Sequence, residues 1–121
     1  MKRCLAMLLL FVATAMAADL TGKWSGSFKA EGSDHSVPQF FLLKQDGVRL
    51  SGSAGPNEKE QYPLEKGQVV QNKATFEVTT GEWKFTYNLS VETNYLTGDL
   101  KLESPNESRT AKVKLTRLKL N

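Results

Sequence analysis

The 121-residue chain is poor in the residue types that build most catalytic and metal sites, with one cysteine and one histidine. A single cysteine excludes an internal disulfide framework and a cysteine-based zinc site. A single histidine lacks the partners that a histidine metal site or a catalytic triad needs. The chain is 40% hydrophobic with a formal net charge of +3, so it is too apolar and too weakly charged to be disordered. Its length fits one small domain.

The N-terminal segment has the features of a secretory signal peptide. A short positive region, Lys2-Arg3, precedes an apolar run over residues 4–14 and the small-residue cleavage site Ala15-Met16-Ala17. The apolar run is too short to cross a bilayer core of about 30 Å as a helix. We therefore predict a signal peptide over residues 1–17 and a secreted or periplasmic protein. The single domain would span residues 18–121, with no membrane span in it.

Removal of the signal peptide almost neutralises the chain. The 16 basic residues fall to 14, against 13 acidic ones, so the net charge falls from +3 to +1. A cluster of bases remains near the C-terminus, formed by Lys112, Lys114, Arg117 and Lys119. Its lysines alternate with apolar residues, as in a strand that has one solvated face. We therefore predict no nucleic-acid partner.

Alternation of apolar and polar residues predicts an all-β domain and no long helix after the signal peptide. The predicted strands span roughly residues 21–29, 38–45, 48–54, 60–71, 74–80, 82–91, 94–103 and 109–118. Short turns at Gln45-Asp46-Gly47, Asn72-Lys73 and Thr80-Gly81 make neighbouring strands antiparallel. Eight such strands close most simply into an up-and-down β-barrel, which leaves no free edge. An open sandwich of two sheets is the alternative.

The connections divide between the two ends of the predicted barrel. The connections at residues 30–37, 55–59, 80–81 and 104–108 are longer on average and would form an open mouth. Those at 46–47, 72–73 and 92–93 would form a closed base. The mouth is expected to be mildly acidic. It carries Glu31, Asp34, Glu58, Glu60, Glu82, Glu103 and Glu107, against Lys29, Lys59 and Arg109.

The side chains predicted to point inward contain no acid or base suited to proton transfer at neutral pH. They are Trp24, Phe28, Leu50, Tyr62, Leu64, Phe76, Val78, Trp83, Phe85, Tyr87, Leu89, Leu100, Val113 and Leu115. Because general acid–base catalysis needs such a group beside the reacting atoms, we predict no enzymatic activity, no catalytic residues, no metal site and no cofactor. The alternative of a hydrolase depends on His35, which lies between Asp34 and Ser36 in a mouth loop.

A barrel of eight strands is either filled by its own side chains or holds one small ligand. We predict a non-enzymatic protein that binds a small apolar or aromatic ligand near the mouth. The ligand would contact Phe28, Tyr62, Trp83, Phe85 and Tyr87, and the two tyrosines could each offer a hydroxyl. The alternative is a protein-interaction module, or a barrel resembling protease inhibitors, with a filled core.

The second strand contains four consecutive apolar residues, Phe40 to Leu43, and a strand cannot point all of them inward. If Phe40 and Leu42 face outward, they form an apolar surface for a second copy of the chain or another protein partner. Coverage of that surface by the Ala30–Val37 loop is the alternative.

Two short sequence features resemble the calycin family of barrels, which includes lipocalins, fatty-acid-binding proteins and avidins. Gly22-Lys23-Trp24 opens the first strand, and Arg117 lies near the end of the last. In that family, a tryptophan in a G-x-W motif packs at the barrel base under a basic residue of the final strand. The resemblance therefore implies that Arg117 stacks on Trp24. The chain is also similar to small secreted lipocalin-like domains of bacteria.

The more detailed likeness is to avidin, whose order of motifs is followed by segments such as Leu50-Ser51-Gly52-Ser53 and Leu115-Thr116-Arg117-Leu118. The biotin contacts of that family do not carry over. The positions that the family fills with hydrogen-bonding residues hold Gly26, Ala54 and Val113 in this chain. Since an unpaired buried polar group costs about 1–3 kcal/mol, we predict no tight binding of biotin.

Overall fold

The computed structural model describes residues 19–118, so the predicted signal peptide and the four residues Ala18 and Lys119 to Asn121 lie outside the described residues. The described part of the chain contains nine strand segments joined by turns and loops. They are β1 (Gly22–Ala30), β2 (Ser36–Asp46), β3 (Arg49–Gly55), β4 (Tyr62–Pro63), β5 (Glu65–Val70), β6 (Lys73–Thr80), β7 (Trp83–Val91), β8 (Tyr95–Ser104) and β9 (Glu107–Arg117). Residues 19–118 contain no helix, in agreement with the all-β prediction.

The strands pair antiparallel in the order β2-β1-β9-β8-β7-β6-β5-β3, and a further pairing of β2 with β3 closes the sheet. The short β4 and β5 both pair with β3, Tyr62 opposite Ala54 and Gln68 opposite Arg49, so together they fill one strand position. The protein is therefore a closed antiparallel barrel of eight strands, as predicted. The open sandwich is wrong.

The prediction of one continuous strand over residues 60–71 needs a correction. The strand is interrupted at Leu64, and the register between β5 and β6 shifts between Glu65 and Gln68. Lys66 there adopts a positive φ of 54°. A bulge of this kind bends the strand and increases its twist, which helps a sheet to close into a barrel.

The three predicted tight turns exist, each beginning within one or two residues of its predicted start. They occupy residues 47–48, 71–72 and 81–82, and the first residue of each turn has a positive φ: 65° at Gly47, 56° at Gln71 and 58° at Gly81. Glycine adopts this backbone conformation at little cost, whereas Gln71 does so with some strain.

The core follows the predicted inward set closely. Ten of the fourteen predicted inward side chains are buried, and the other four, Tyr62, Leu64, Trp83 and Phe85, are half-buried. The alternation also places further apolar side chains inside. These are Leu20, Phe41, Leu43, Ala54, Val69, Ala74, Leu96 and Ala111.

The base of the barrel is closed by a contact between its first and last strands. The Trp24 indole is fully buried and donates a hydrogen bond of 3.0 Å to the Leu20 carbonyl oxygen. The Arg117 guanidinium lies over the indole, 4.4 Å from the ring centre. It also donates to the carbonyl oxygens of Thr21 (3.1 Å) and Asp19 (2.9 Å). This is the stack that the calycin resemblance implies.

Candidate functional site

The opposite end of the barrel contains a cavity of about 230 Å³. Its walls come from the mouth halves of six strands, β1, β2, β3, β4, β6 and β7, and from the loop after β3. The lining residues are Phe28, Val37, Gln39, Ala54, Gly55, Pro56, Glu60, Tyr62, Val78, Thr80, Phe85 and Tyr87. Most of them are apolar or aromatic, as is typical of sites for small organic ligands.

A second cavity of about 390 Å³ adjoins the first at the mouth. The two share Phe28, Val37 and Phe85 as walls. The other walls of the second cavity include titratable side chains of both charge signs. These other walls are Ala30, Ser33, His35, Trp83, Leu102, Glu107 and Arg109.

The five residues predicted to contact a ligand all line these cavities. Phe28 and Phe85 line both, Tyr62 and Tyr87 line the first, and Trp83 lines the second. Alternation along the strands brings them together, because each belongs to a strand that approaches the mouth with this side chain inward.

The floor of the first cavity carries a buried polar pair that the sequence analysis missed. The Tyr87 hydroxyl donates a hydrogen bond to Oε1 of Gln39, and both side chains are buried, with 2% and 6% of their surface exposed. The Gln39 amide nitrogen donates to the Pro38 carbonyl oxygen at 3.0 Å. The signal was present in the sequence, since Gln39 alternates with Phe41 and Leu43 and therefore points inward with them.

The Tyr87 ring of this floor packs against two further aromatic rings, Phe41 and Phe76. Phe76 and Tyr87 are stacked with their centres 4.7 Å apart, and Phe41 meets both edge-on at 5.4 and 5.3 Å. Such pairs contribute about 0.5–1.5 kcal/mol each beyond the area they bury. The barrel is therefore filled in its base half and hollow at its mouth. Burial also raises the pKa of the Tyr87 phenol, so that this group stays neutral.

The rim of the first cavity carries one carboxylate. Glu60 accepts a hydrogen bond of 2.8 Å from the Tyr62 hydroxyl, and this bond raises the pKa of the Tyr62 phenol. Glu60 is the one charged residue among the described residues that line the first cavity. No lysine or arginine of residues 19–118 reaches its wall.

The strand order brings six of the seven carboxylates of the predicted acidic mouth to the same end of the barrel, whereas Glu58 lies on the outer face beside Lys23, near the start of β1. Three of the seven have a cationic partner: Glu107 binds Arg109, Glu103 binds Lys101 at 3.5 Å, and Glu58 binds Lys23 at 2.9 Å on the outside of the barrel. The mouth therefore presents more negative than positive side chains to an approaching molecule.

The outward apolar pair Phe40 and Leu42 is half-buried rather than exposed. Their neighbours Phe41 and Leu43 point into the core. The loop over residues 56–61 is tied to this outer face by several hydrogen bonds. Gln61 donates to the Phe40 carbonyl oxygen at 3.0 Å and accepts from the Ser53 hydroxyl at 2.6 Å. The tethered loop is therefore a different one from the Ala30–Val37 loop that the sequence suggested.

His35 is exposed and lies in the wall of the second cavity. Among residues 19–118, no three His, Cys, Asp or Glu side chains are grouped closely enough to hold a metal ion. The same part of the chain contains no helix long and apolar enough to cross a membrane.

The basic side chains of β9 each have a local partner. Lys112 donates to Asp99 at 2.7 Å, which raises the pKa of the Lys112 ammonium group. Lys114 lies 4.9 Å from the centre of the exposed Tyr95 ring. Lys119, the fourth member of the predicted cluster, lies outside the described residues. The described lysines form the solvated face of a strand rather than a concave basic surface.

Comparison of the chain with models of protein families, with curated proteins and with solved structures finds no match in any of the three.

Proposed function

We propose that this protein is a non-enzymatic binding protein that holds one small apolar or aromatic molecule at the mouth of its barrel. The observation that carries the proposal is the mouth cavity of about 230 Å³, with predominantly apolar walls above a base of buried side chains. Sites for small organic ligands are concave and mostly apolar with a few polar groups, and this cavity has both features, so it is the candidate site.

The walls suit such a ligand. Phe28 and the cross-strand neighbours Val78 and Phe85 offer apolar surface, and burial of apolar area contributes about 25 cal/mol per Å². An engineered apolar cavity of about 150 Å³ is large enough to bind benzene, so the mouth cavity has room for a molecule about one and a half times that size.

The polar groups of the first cavity support binding rather than catalysis. Tyr87 is held neutral by burial and donates its hydroxyl hydrogen to Gln39. Glu60 accepts the hydroxyl hydrogen of Tyr62. Neither arrangement resembles a nucleophile activated by a neighbouring base. The hydrolase alternative needs His35 to act from an exposed loop.

The signal-peptide pattern of residues 1–17 supports a place of action outside the cytoplasm, in the periplasm or beyond the cell. The closed eight-stranded barrel and the stack of Arg117 on Trp24 support a calycin-like relationship. Gly26 supports the proposal that biotin is not the ligand. A side chain at this position would begin 1.9 Å from the Lys114 carbonyl oxygen, so no hydrogen-bonding group fits there.

A protein-interaction module remains the second candidate, with the surface at Phe40 and Leu42 as its contact. The half-burial of both side chains beside the tethered 56–61 loop leaves less apolar area for a partner than the sequence suggested. The mouth cavity is therefore the better supported of the two binding sites.

The test is a titration of the full mature chain with naphthalene, measured by equilibrium dialysis. We expect saturable binding of one molecule per chain. Val37 lines both cavities and is 38% exposed, so Val37→Trp places a large side chain in the mouth and should weaken binding at least about tenfold. Val48→Trp is the matched control, because Val48 lies in a base turn and is 67% exposed. Equal loss in both variants, or no saturable binding to the unmodified protein, would overturn the proposal.

A further inference from the structure

The polar pair on the cavity floor carries hydrogen-bonding capacity that the protein itself does not use. The Gln39 amide nitrogen bears two hydrogens. Within residues 19–118 it has one acceptor, the Pro38 carbonyl oxygen. The Tyr87 hydroxyl donates a hydrogen bond to Gln39, and its oxygen can still accept a hydrogen bond through its lone pairs. Because both side chains are buried and both line the cavity, the spare donor and the spare acceptor lie side by side at its floor.

A buried polar group without a partner is unfavourable, and a ligand that supplies the partner gains that free energy on binding. A hydroxyl group is the smallest group that can make both hydrogen bonds. Its oxygen accepts a hydrogen bond from the Gln39 amide, and its O–H donates one to the Tyr87 oxygen. The remaining walls are largely apolar, so the rest of the ligand must be apolar too.

The charge of the lining restricts the ligand further. Glu60 is the one charged residue on the described wall of the first cavity, and it is an acid. An anionic ligand would be buried with no cation to pair with it, beside a neutral phenol and near a carboxylate, which is strongly unfavourable. The excess of carboxylates around the mouth also repels an approaching anion at longer range.

We infer that the mouth cavity selects a compact, uncharged ring molecule that carries a hydroxyl group, and that Gln39 and Tyr87 are the residues that determine this selectivity. The inference rests on the proposed function and makes it specific. The cavity of about 230 Å³ exceeds the roughly 150 Å³ that accepts benzene, which points to a ring system about the size of two fused six-membered rings. Short-chain carboxylates and fatty acids are excluded by their charge.

The experiment compares three probes of one shape, naphthalene, 2-naphthol and 2-naphthoate, by equilibrium dialysis at neutral pH. We expect 2-naphthol to bind about tenfold more tightly than naphthalene, because two neutral hydrogen bonds are added. We expect 2-naphthoate to bind at least about tenfold more weakly than 2-naphthol, since its charge is unpaired in the cavity.

A double variant, Gln39→Met with Tyr87→Phe, tests whether these two residues determine the selectivity. Replacing both partners of a buried hydrogen bond by apolar groups of similar shape is close to neutral for stability, so this double variant is expected to fold. It should bind naphthalene as the unmodified protein does and lose the preference for 2-naphthol. Tyr95→Phe is the control, since it removes the hydroxyl of a tyrosine that is 44% exposed at the start of β8, at the opposite end of the barrel from the cavity. Gln39→Met alone serves as a second variant and should reduce the preference at least about threefold.

The outcomes separate the inference from the proposed function. If none of the three probes binds, the proposed function fails and the inference fails with it. If naphthalene and 2-naphthol bind equally, or 2-naphthoate binds most tightly, the proposed function stands and the inference is overturned. A preference for 2-naphthol that survives in the double variant would also overturn it, because the selectivity would then come from other residues.

Discussion

Arg117 and Trp24, residues from the last and first strands of the barrel, are stacked at its base, with the guanidinium carbon 4.4 Å from the centre of the indole ring. Two hydrogen bonds from the same guanidinium hold the carbonyl oxygens of Asp19 and Thr21. One side chain therefore covers the buried Trp24 indole and holds the chain segment that enters β1.

Replacement of Arg117 tests how much this contact stabilises the barrel. We expect Arg117→Met to lower the free energy of unfolding by about 2 kcal/mol, because it removes a cation–π contact and two hydrogen bonds. Arg117→Lys should restore part of the loss, since an ammonium group keeps the charge but cannot bridge two carbonyl oxygens in the same plane. Urea unfolding measures both. Lys114→Met, which removes a cation from the exposed Tyr95 ring, is the control and should cost about 0.5 kcal/mol or less. A similar cost for Arg117→Met and Lys114→Met would contradict this assignment.

Gly26 is required by the close approach of two backbones. A Cβ atom at this position would lie 1.9 Å from the Lys114 carbonyl oxygen, which is far inside van der Waals contact. We expect Gly26→Ala to destabilise the protein by about 3 kcal/mol or more, because β1 and β9 would have to separate. Thermal unfolding compares it with Gly81→Ala, where the added atom meets nothing within 4 Å and only the positive φ of 58° opposes the change. The control should cost about 1 kcal/mol. An equal loss of stability at both positions would show that β9 can move away from β1 at little cost in free energy.

The buried phenol of Tyr87 makes the protein less stable in strong alkali. Burial raises its pKa above the ordinary value of 10.0, so the folded state keeps a proton that the unfolded state loses. Stability is therefore unaffected by Tyr87 below about pH 10 and falls as the pH rises above that value. Between about pH 9 and pH 11 we expect a loss of about 1.4 kcal/mol from this group. Denaturant unfolding at the two pH values should show that the double variant of Gln39→Met with Tyr87→Phe escapes this part of the loss. The same pH dependence in both proteins would show that Tyr87 ionises freely in the folded state.

The 56–61 loop is held by Gln61 more than by its exposed ion pair. The Gln61 amide donates to the carbonyl oxygens of Phe40 (3.0 Å) and Asn57 (2.7 Å), and its oxygen accepts from Ser53. We expect Gln61→Ala to lower the free energy of unfolding by about 1–2 kcal/mol. Limited proteolysis should cut the loop of this variant faster. Lys23→Met removes the ion pair with Glu58, whose side chains are 45% and 58% exposed, and should cost less than about 0.5 kcal/mol. A larger effect of Lys23→Met than of Gln61→Ala would reverse this ranking.

Much of the fold is predictable from alternation alone, because each strand has one face in the core and one in water. The pattern Trp83, Phe85, Tyr87, Leu89 sets both the strand and the inward side of β7. The exact turn positions are harder to predict, because turn residues give a weaker sequence signal than the alternation along strands. Gln71 adopts the positive φ that the neighbouring Asn72 would adopt more easily, because pairing along β5 and β6 decides the register.

Features that depend on contacts between distant strands were not predictable. The interruption at Leu64 follows from closure of the barrel, and no residue type in that stretch signals it except Pro63. The return of Gln61 to Phe40 over the outer face is a contact across 21 positions of sequence, which no local pattern encodes. Gln39 is a different case, because it lies on the same face of β2 as Phe41 and Leu43, and four consecutive apolar residues left the orientation of that face open.

If the ligand site is the mouth of the barrel, residues there respond to a bound molecule and residues at the base do not. Two-dimensional ¹H–¹⁵N NMR of the mature chain, titrated with 2-naphthol up to its solubility, distinguishes the two ends. We expect saturable shifts of the amide signals at Phe28, Gln39, Phe85 and Tyr87, with those of Trp24 and Leu96 at the base unmoved. Shifts centred on the base, or none at any concentration, would show that the mouth is not the ligand site.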